Sequence, residues 1–168
     1  TISVIDPETN KVVQTIGGIE VPEGAHFSPD GSRIYVTNGA DNFLDVLDRK
    51  TGKPIKRVPI SGHPNDLAVT PDGKRVLVCI AEIPGALDII DTTSLEKVKT
   101  IPMKSRLHDI VVTADGKYAV AGSPQGQFAA FFDLKTEQLA GEMNFDQGVM
   151  PLAIESGPDG SGRRLFIQ

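Results

Sequence analysis

The triplet Pro29-Asp30-Gly31 returns as Pro71-Asp72-Gly73, Ala114-Asp115-Gly116 and Pro158-Asp159-Gly160, so its glycines stand 42, 43 and 44 residues apart. A fixed period of this length constrains the fold more than composition does. Each period must be one unit that cannot bury its faces alone and so stacks on its neighbours. A second marker keeps the same beat: an apolar pair, an aspartate, and a threonine or serine three residues on. It reads Val4-Ile5-Asp6 with Thr9, Val46-Leu47-Asp48 with Thr51, Ile89-Ile90-Asp91 with Ser94, and Phe131-Phe132-Asp133 with Thr136. Two markers in register along the whole chain establish the repeat.

Each period reads as four short strands. In one of them, 65–70 is a first strand and 71–73 a turn, followed by strands at 75–79, 86–91 and 97–101. Proline presets the turn, and Asp-Gly supplies residues that tolerate positive φ. Four antiparallel strands every ~40–45 residues is the pattern of a propeller blade. The sequence therefore predicts an all-β β-propeller of four blade-equivalents, with innermost strands near 24–28, 65–70, 109–113 and 151–155. All of 1–168 is expected to form a single propeller domain or a propeller fragment, with repeats at approximately 1–42, 43–85, 86–127 and 128–168. The chain opens on a third strand and stops on a second, both abruptly, as if cut or processed.

The stretch Phe27-Ser28-Pro29-Asp30-Gly31-Ser32-Arg33-Ile34-Tyr35-Val36-Thr37-Asn38 resembles the consensus of the YVTN family of bacterial propeller repeats. Asp6-Pro-Glu-Thr-Asn-Lys-Val-Val-Gln-Thr-Ile16, Asp48-Arg-Lys-Thr-Gly-Lys-Pro-Ile55 and Asp91-Thr-Thr-Ser-Leu-Glu-Lys-Val98 are similar to its outer hairpin. The full tetrad stands only in the first repeat; its equivalents are Leu77-Val78-Cys79-Ile80 and Ala119-Val120-Ala121-Gly122. The absence of tryptophan argues against Trp-Asp repeats. The resemblance implies a ring that usually has seven blades, of which this chain would be a part. Alternatively its first and last hairpins pair, within one chain or between two copies, which makes a homodimer a partner to consider.

The formal net charge is −5, with both signs scattered, so no basic footprint for nucleic acid or an anionic membrane is present. No apolar run approaches the ~20 residues of a membrane span. The single cysteine, Cys79, rules out an internal disulfide framework, and its apolar strand 76–80 reads as core.

Chemistry-bearing residues are few. Aligned on the turns, His63 and Arg106 occupy equivalent places in loops leading into innermost strands, and His108 aligns with Asn65. His63, Asp66, Arg106, His108 and Asp109 are thus expected on one rim of the central channel, on adjacent blades, where loops converge on the axis. They form a candidate site for a small polar ligand, although ordinary strand-leading turns use the same residue types. His26 falls within an innermost strand. No short Cys/His spacing suits a structural zinc, and no Gly-x-Ser-x-Gly elbow supports a serine nucleophile. The sequence points to no metal and no resident cofactor.

Three classes of function remain open. One is a non-catalytic scaffold that binds a ligand or another protein, exported to the periplasm or the cell surface as the resemblance implies. Another is an enzyme with its active site at the channel mouth, such as a lactonase-like hydrolase or a lyase. The third is the propeller of a quinone- or haem-dependent dehydrogenase, for which the covalent haem motif Cys-x-x-Cys-His is absent.

Overall fold

The computed structural model describes residues 1–150 and 152–168. Its sixteen strands run in chain order as β1 Ile2–Asp6, β2 Lys11–Ile16, β3 Pro22–Phe27, β4 Arg33–Asn38, β5 Phe43–Asp48, β6 Pro54–Pro59, β7 Pro64–Val69 and β8 Arg75–Ile80. They continue as β9 Gly85–Asp91, β10 Glu96–Met103, β11 Ile110–Val112, β12 Tyr118–Ser123, β13 Phe128–Asp133, β14 Gln138–Asn144, β15 Leu152–Ser156 and β16 Gly162–Ile167. Three antiparallel sheets of four strands, β3–β6, β7–β10 and β11–β14, are flanked by the separate hairpins β1–β2 and β15–β16. This is the all-β propeller expected from the repeat. The innermost strands β3, β7, β11 and β15 line up side by side along the axis. Each lies within two residues of its expected span, and Pro151, the first residue of the last expected span, lies outside the described residues. The two flanking hairpins do not join into one sheet.

Both sequence markers are hydrogen-bonded turns. Gly31, Gly73 and Gly116 have φ of +69°, +71° and +70°, and each donates its N–H to the residue three places back at 2.8 Å. The aspartate before each glycine takes the hydroxyl that ends the innermost strand: Ser28 to Asp30 at 2.5 Å, Thr70 to Asp72 at 2.7 Å, and Thr113 to Asp115 at 2.6 Å. The third-strand aspartates cap the outer hairpins in the same way. Asp48 accepts both N–H and hydroxyl of Thr51 at 2.7 Å, and Asp91 and Asp133 accept the amides three residues on at 2.8 Å. The residue four places after each aspartate (Asn10, Gly52, Leu95, Glu137) has positive φ, and the outer hairpin beside it carries a register shift. A left-handed residue followed by a bulge is how a short hairpin loop rejoins twisted strands.

The core lies between blades rather than within them. Tyr35, Leu44 and Val46 pack against Leu67, Val76, Val78 and Ile90 of the next blade, whose opposite face meets Ala119, Ala121, Phe128 and Phe132. At ~25 cal/mol per Å² of apolar surface, this stacking supplies the main favourable term of the fold. Arginines reinforce it at the turn rim. Arg33 Nη1 donates to the Thr92 carbonyl at 2.7 Å, and Arg75 holds Asp91 at 2.6 Å and Glu137 at 2.8 Å. A buried polar post stands in the second blade. Asp88, fully buried, accepts the Ser61 amide at 2.6 Å, the Ser61 hydroxyl at 2.8 Å and the Thr100 hydroxyl at 2.6 Å.

Candidate functional site

The loops that lead into β7 and β11 stand at the strand ends opposite the Pro-Asp-Gly turns, together with the loops after β4 and β8. Backbone hydrogen bonds fix both. Ala81 N–H donates to the His63 carbonyl at 2.8 Å, and Leu107 N–H to the Ile80 carbonyl at 3.2 Å. His108 N–H donates to the Gly122 carbonyl at 2.9 Å, and Gly122 N–H to the Asp109 carbonyl at 3.0 Å. These bonds fill the stretch expected to open the third innermost strand, which is why β11 begins at Ile110.

Asp66, His108 and Asp109 come together at the axis. Asp66 N–H donates to the His108 carbonyl at 3.3 Å, and Ile110 N–H approaches the Asp66 carboxylate at 3.5 Å. On its other side Asp66 faces β3, where a Cβ at Gly24 would come within 2.9 Å of the Asp66 carboxylate oxygen. A side chain there would displace the carboxylate, so glycine keeps this approach open. Burial pushes the Asp66 carboxyl above its ordinary 3.8, and the Asp109 carboxylate adds to the rise. The Leu67 amide, His26 and the Ile110 amide hold it back. His26 stands two residues past Gly24 on the same strand, β3 of the first whole blade. Its distance along the chain from the other residues hid its effect on Asp66, and only the alignment of β3 beside β7 could have revealed it.

Among the described residues, no side-chain hydrogen bond or ion pair joins His63 or Arg106 to that trio. His63 Nδ1 lies 3.2 Å from the Gly39 carbonyl, and the His63 backbone N–H donates to Glu82 Oε1 at 2.7 Å. Glu82, on the loop after β8, adds a carboxylate to this rim that no spacing in the sequence marks. Arg106 is exposed, and its backbone rests against Gly85, where a Cβ would stand 2.1 Å from the Ser105 carbonyl oxygen. His108 Nδ1 lies 2.7 Å from Asp109 Oδ1. A carbonyl or an ionised carboxylate can only accept, so in both histidines Nδ1 donates. When the ring is neutral, Nε2 keeps its lone pair.

A cleft of about 390 Å³ between the second and third whole blades is walled by Thr70, Asp72, Arg75, Asp115 and Glu137, at the turn rim. Among the described residues, no group of three or more His, Cys, Asp or Glu is placed to hold a metal ion. Cys79 is fully buried, and burial first, then Asp66 and Asp109, pushes its thiol well above the ordinary value.

Residues 1–130 match the Cytochrome D1 heme domain family. Among solved structures, the hydrazine synthase of Kuenenia stuttgartiensis is similar at 26% identity and a TM-score of 0.82. The similarity covers 93% of this chain and 46% of that one, so the chain spans about half the length of that structure. No curated protein matches the chain.

The family implies a haem, and the residues present supply only part of a bed for one. A ligating imidazole is available, since an oxygen partner on Nδ1 orients Nε2 for ligation. A macrocycle also needs apolar walls. Carboxylates stand there instead: Glu82 takes the His63 backbone amide and Asp109 the His108 ring, and a cleft of about 390 Å³ opens at the turn rim. The described residues therefore do not form a haem pocket. A match over residues 1–130 covers more than three quarters of the sequence, and the chain belongs to the Cytochrome D1 heme domain family.

Proposed function

We propose that this chain is a non-catalytic binding propeller, exported to the periplasm or the cell surface. Its ligand site is the axial rim of His63, Asp66, Arg106, His108 and Asp109, and its ligand is small and polar or anionic. One observation carries the reading. Two histidines on adjacent blades each have Nδ1 beside an oxygen acceptor, which leaves Nε2 to a ligand, and Arg106, two residues before His108, is exposed. Arginine offers a planar donor fork to a carboxylate or phosphate, and histidine either donates or accepts. The half-buried Asp66 and Asp109 would disfavour a second negative group on the same ligand. Likeness to YVTN repeats, resting on Ile34-Tyr-Val-Thr-Asn38, supports a scaffold of constant turns with variable loops.

Family membership favours a second reading, the propeller part of a haem-dependent oxidoreductase, with His63 or His108 as the ligating side chain. The polar, open setting of both histidines weighs against it, and no reaction step is assigned.

Titration with acetate, citrate and inorganic phosphate, followed by amide chemical shifts, tests the binding reading. Shifts are expected at His63, His108 and Asp109, and Arg106→Ala should abolish them. Stability should stay nearly unchanged, because an exposed loop charge contributes little to folding. Equal binding by Arg106→Ala would show that the site lies elsewhere. Cell fractionation tests export.

A further inference from the structure

The loop that presents His63 is held from end to end. Ser61 gives its amide to Asp88 at 2.6 Å, and Pro64, next after His63, is buried at the start of β7. A residue before proline is confined to extended backbone. His63 is fixed at both of its backbone polar groups. Its carbonyl accepts the Ala81 N–H at 2.8 Å, and its N–H donates to Glu82 Oε1 at 2.7 Å. Gly62 makes room for this carboxylate, because a Cβ there would stand 2.7 Å from Glu82 Oε2. Gly39 does the same for the ring: a Cβ there would stand 2.7 Å from His63 Cε1, and the Gly39 carbonyl accepts from Nδ1 at 3.2 Å.

The bond to the His63 carbonyl belongs to the fold, since Gly39 N–H donates to the Val21 carbonyl at 2.9 Å at the equivalent place in the blade before. The bond to the carboxylate does not. In that blade Ala40 stands where Glu82 does, Glu20 where Gly62 does, and Val21 where His63 does. The geometry points to Glu82 as a positioning residue, which holds the His63 backbone so that the ring lies on Gly39 and leaves Nε2 to the ligand. This rests on the reading of His63 as part of the ligand site. Glu82 acts here as an acceptor and not through its charge. A carboxylate at the rim repels an anion, so loss of the charge alone should tighten binding, whereas loss of the acceptor should weaken it.

Three variants separate the two effects. Glu82→Gln keeps an acceptor oxygen without the charge, Glu82→Ala removes both, and Gly62→Ala displaces the carboxylate while its charge stays. The whole chain is followed by amide hydrogen exchange, by the ring nitrogen shifts of His63 and by titration with inorganic phosphate. Glu82→Ala and Gly62→Ala should speed exchange of the His63 amide about fivefold or more, lower the share of the Nδ1-protonated ring, and raise the phosphate Kd by a similar factor. Exchange at Val76–Ile80 should stay unchanged, which a general loss of stability would not allow. Glu82→Gln should exchange like the wild type and bind phosphate as tightly or more tightly. An unchanged His63 amide in Glu82→Ala, or phosphate binding as weak in Glu82→Gln as in Glu82→Ala, would overturn the inference. If the wild type fails to bind phosphate, the site reading fails, and exchange and ring shifts alone decide whether Glu82 holds His63.

Discussion

Asp88→Ala removes a carboxylate that is fully buried yet accepts three hydrogen bonds at 2.6–2.8 Å, with Lys97 Nζ 3.7 Å away. Hydrogen bonds to a charged group contribute about 1.5–3 kcal/mol each, and breaking a buried pair by removing one partner costs about 3–5 kcal/mol. Ser61, Thr100 and Lys97 are exposed enough for water to take over part of the bonding, which places the loss near the lower end. A loss of about 3 kcal/mol corresponds to a fall in Tm of about 6–12 °C for a chain of this size. Asp88→Asn keeps one acceptor oxygen and the shape, and should lose about half as much. The third whole blade holds the control, because Ala130 occupies the equivalent position opposite Ala121 and is buried without polar partners. Ala130→Asp should therefore destabilise, since it buries a charge that nothing there satisfies. Urea unfolding followed by far-UV circular dichroism measures all three, the chain having no tryptophan to follow. A loss below about 1 kcal/mol for Asp88→Ala, or equal losses for alanine and asparagine, would refute Asp88 as a structural post.

Gly85→Ala should lower the urea midpoint by the equivalent of about 1–3 kcal/mol or more, because its Cβ would meet backbone, the Ser105 carbonyl, at 2.1 Å. Acid should unfold the protein steeply. Asp6, Asp30, Asp48, Asp72, Asp91, Asp115, Asp133 and Asp159 are all held below the ordinary 3.8 by hydroxyl and amide donors in their turns. Ser28 first among its partners holds Asp30 at about 2, and Thr113 does the same for Asp115. A carboxyl depressed in the fold contributes fully above its unfolded value and loses that contribution as pH falls through its folded value, so the loss should run from about pH 4 to 2. Asp66, raised in the fold, acts with the opposite sign and opposes the loss. A stability that stays flat across that window would contradict these turns. Cys79 should react with a thiol reagent only on global unfolding, and labelling of the native protein at a measurable rate would contradict its burial.

Much of this architecture was legible because its determinants are local. Pro-Asp-Gly and Asp-x-x-Thr each fold within a few residues, and both recur as the same turn wherever they stand. The left-handed residue four places after the aspartate was hidden, since asparagine, glycine, leucine and glutamate all fill it. There the bulge imposes the conformation and the residue tolerates it. The site was legible only as an alignment. His63, Arg106 and His108 could be placed on a rim by counting from the turns. Glu82 and Gly39 lie in loops without a marker, and the charge of His26 acts on Asp66 only because β3 and β7 lie side by side. The shortened β11 follows from loop amides that bond to Ile80 and Gly122, which no periodicity encodes.

Because the apolar clusters join each sheet only to the next, the blades form a one-dimensional lattice coupled through nearest neighbours. The blade β7–β10 shares clusters with both of its neighbours, so its opening breaks two interfaces at once. A lesion at Asp88 should therefore loosen those two neighbours before it is felt beyond them. Ligand bound across the loops of β7 and β11 would tie two adjacent members of the lattice together, so that neither could open without the other.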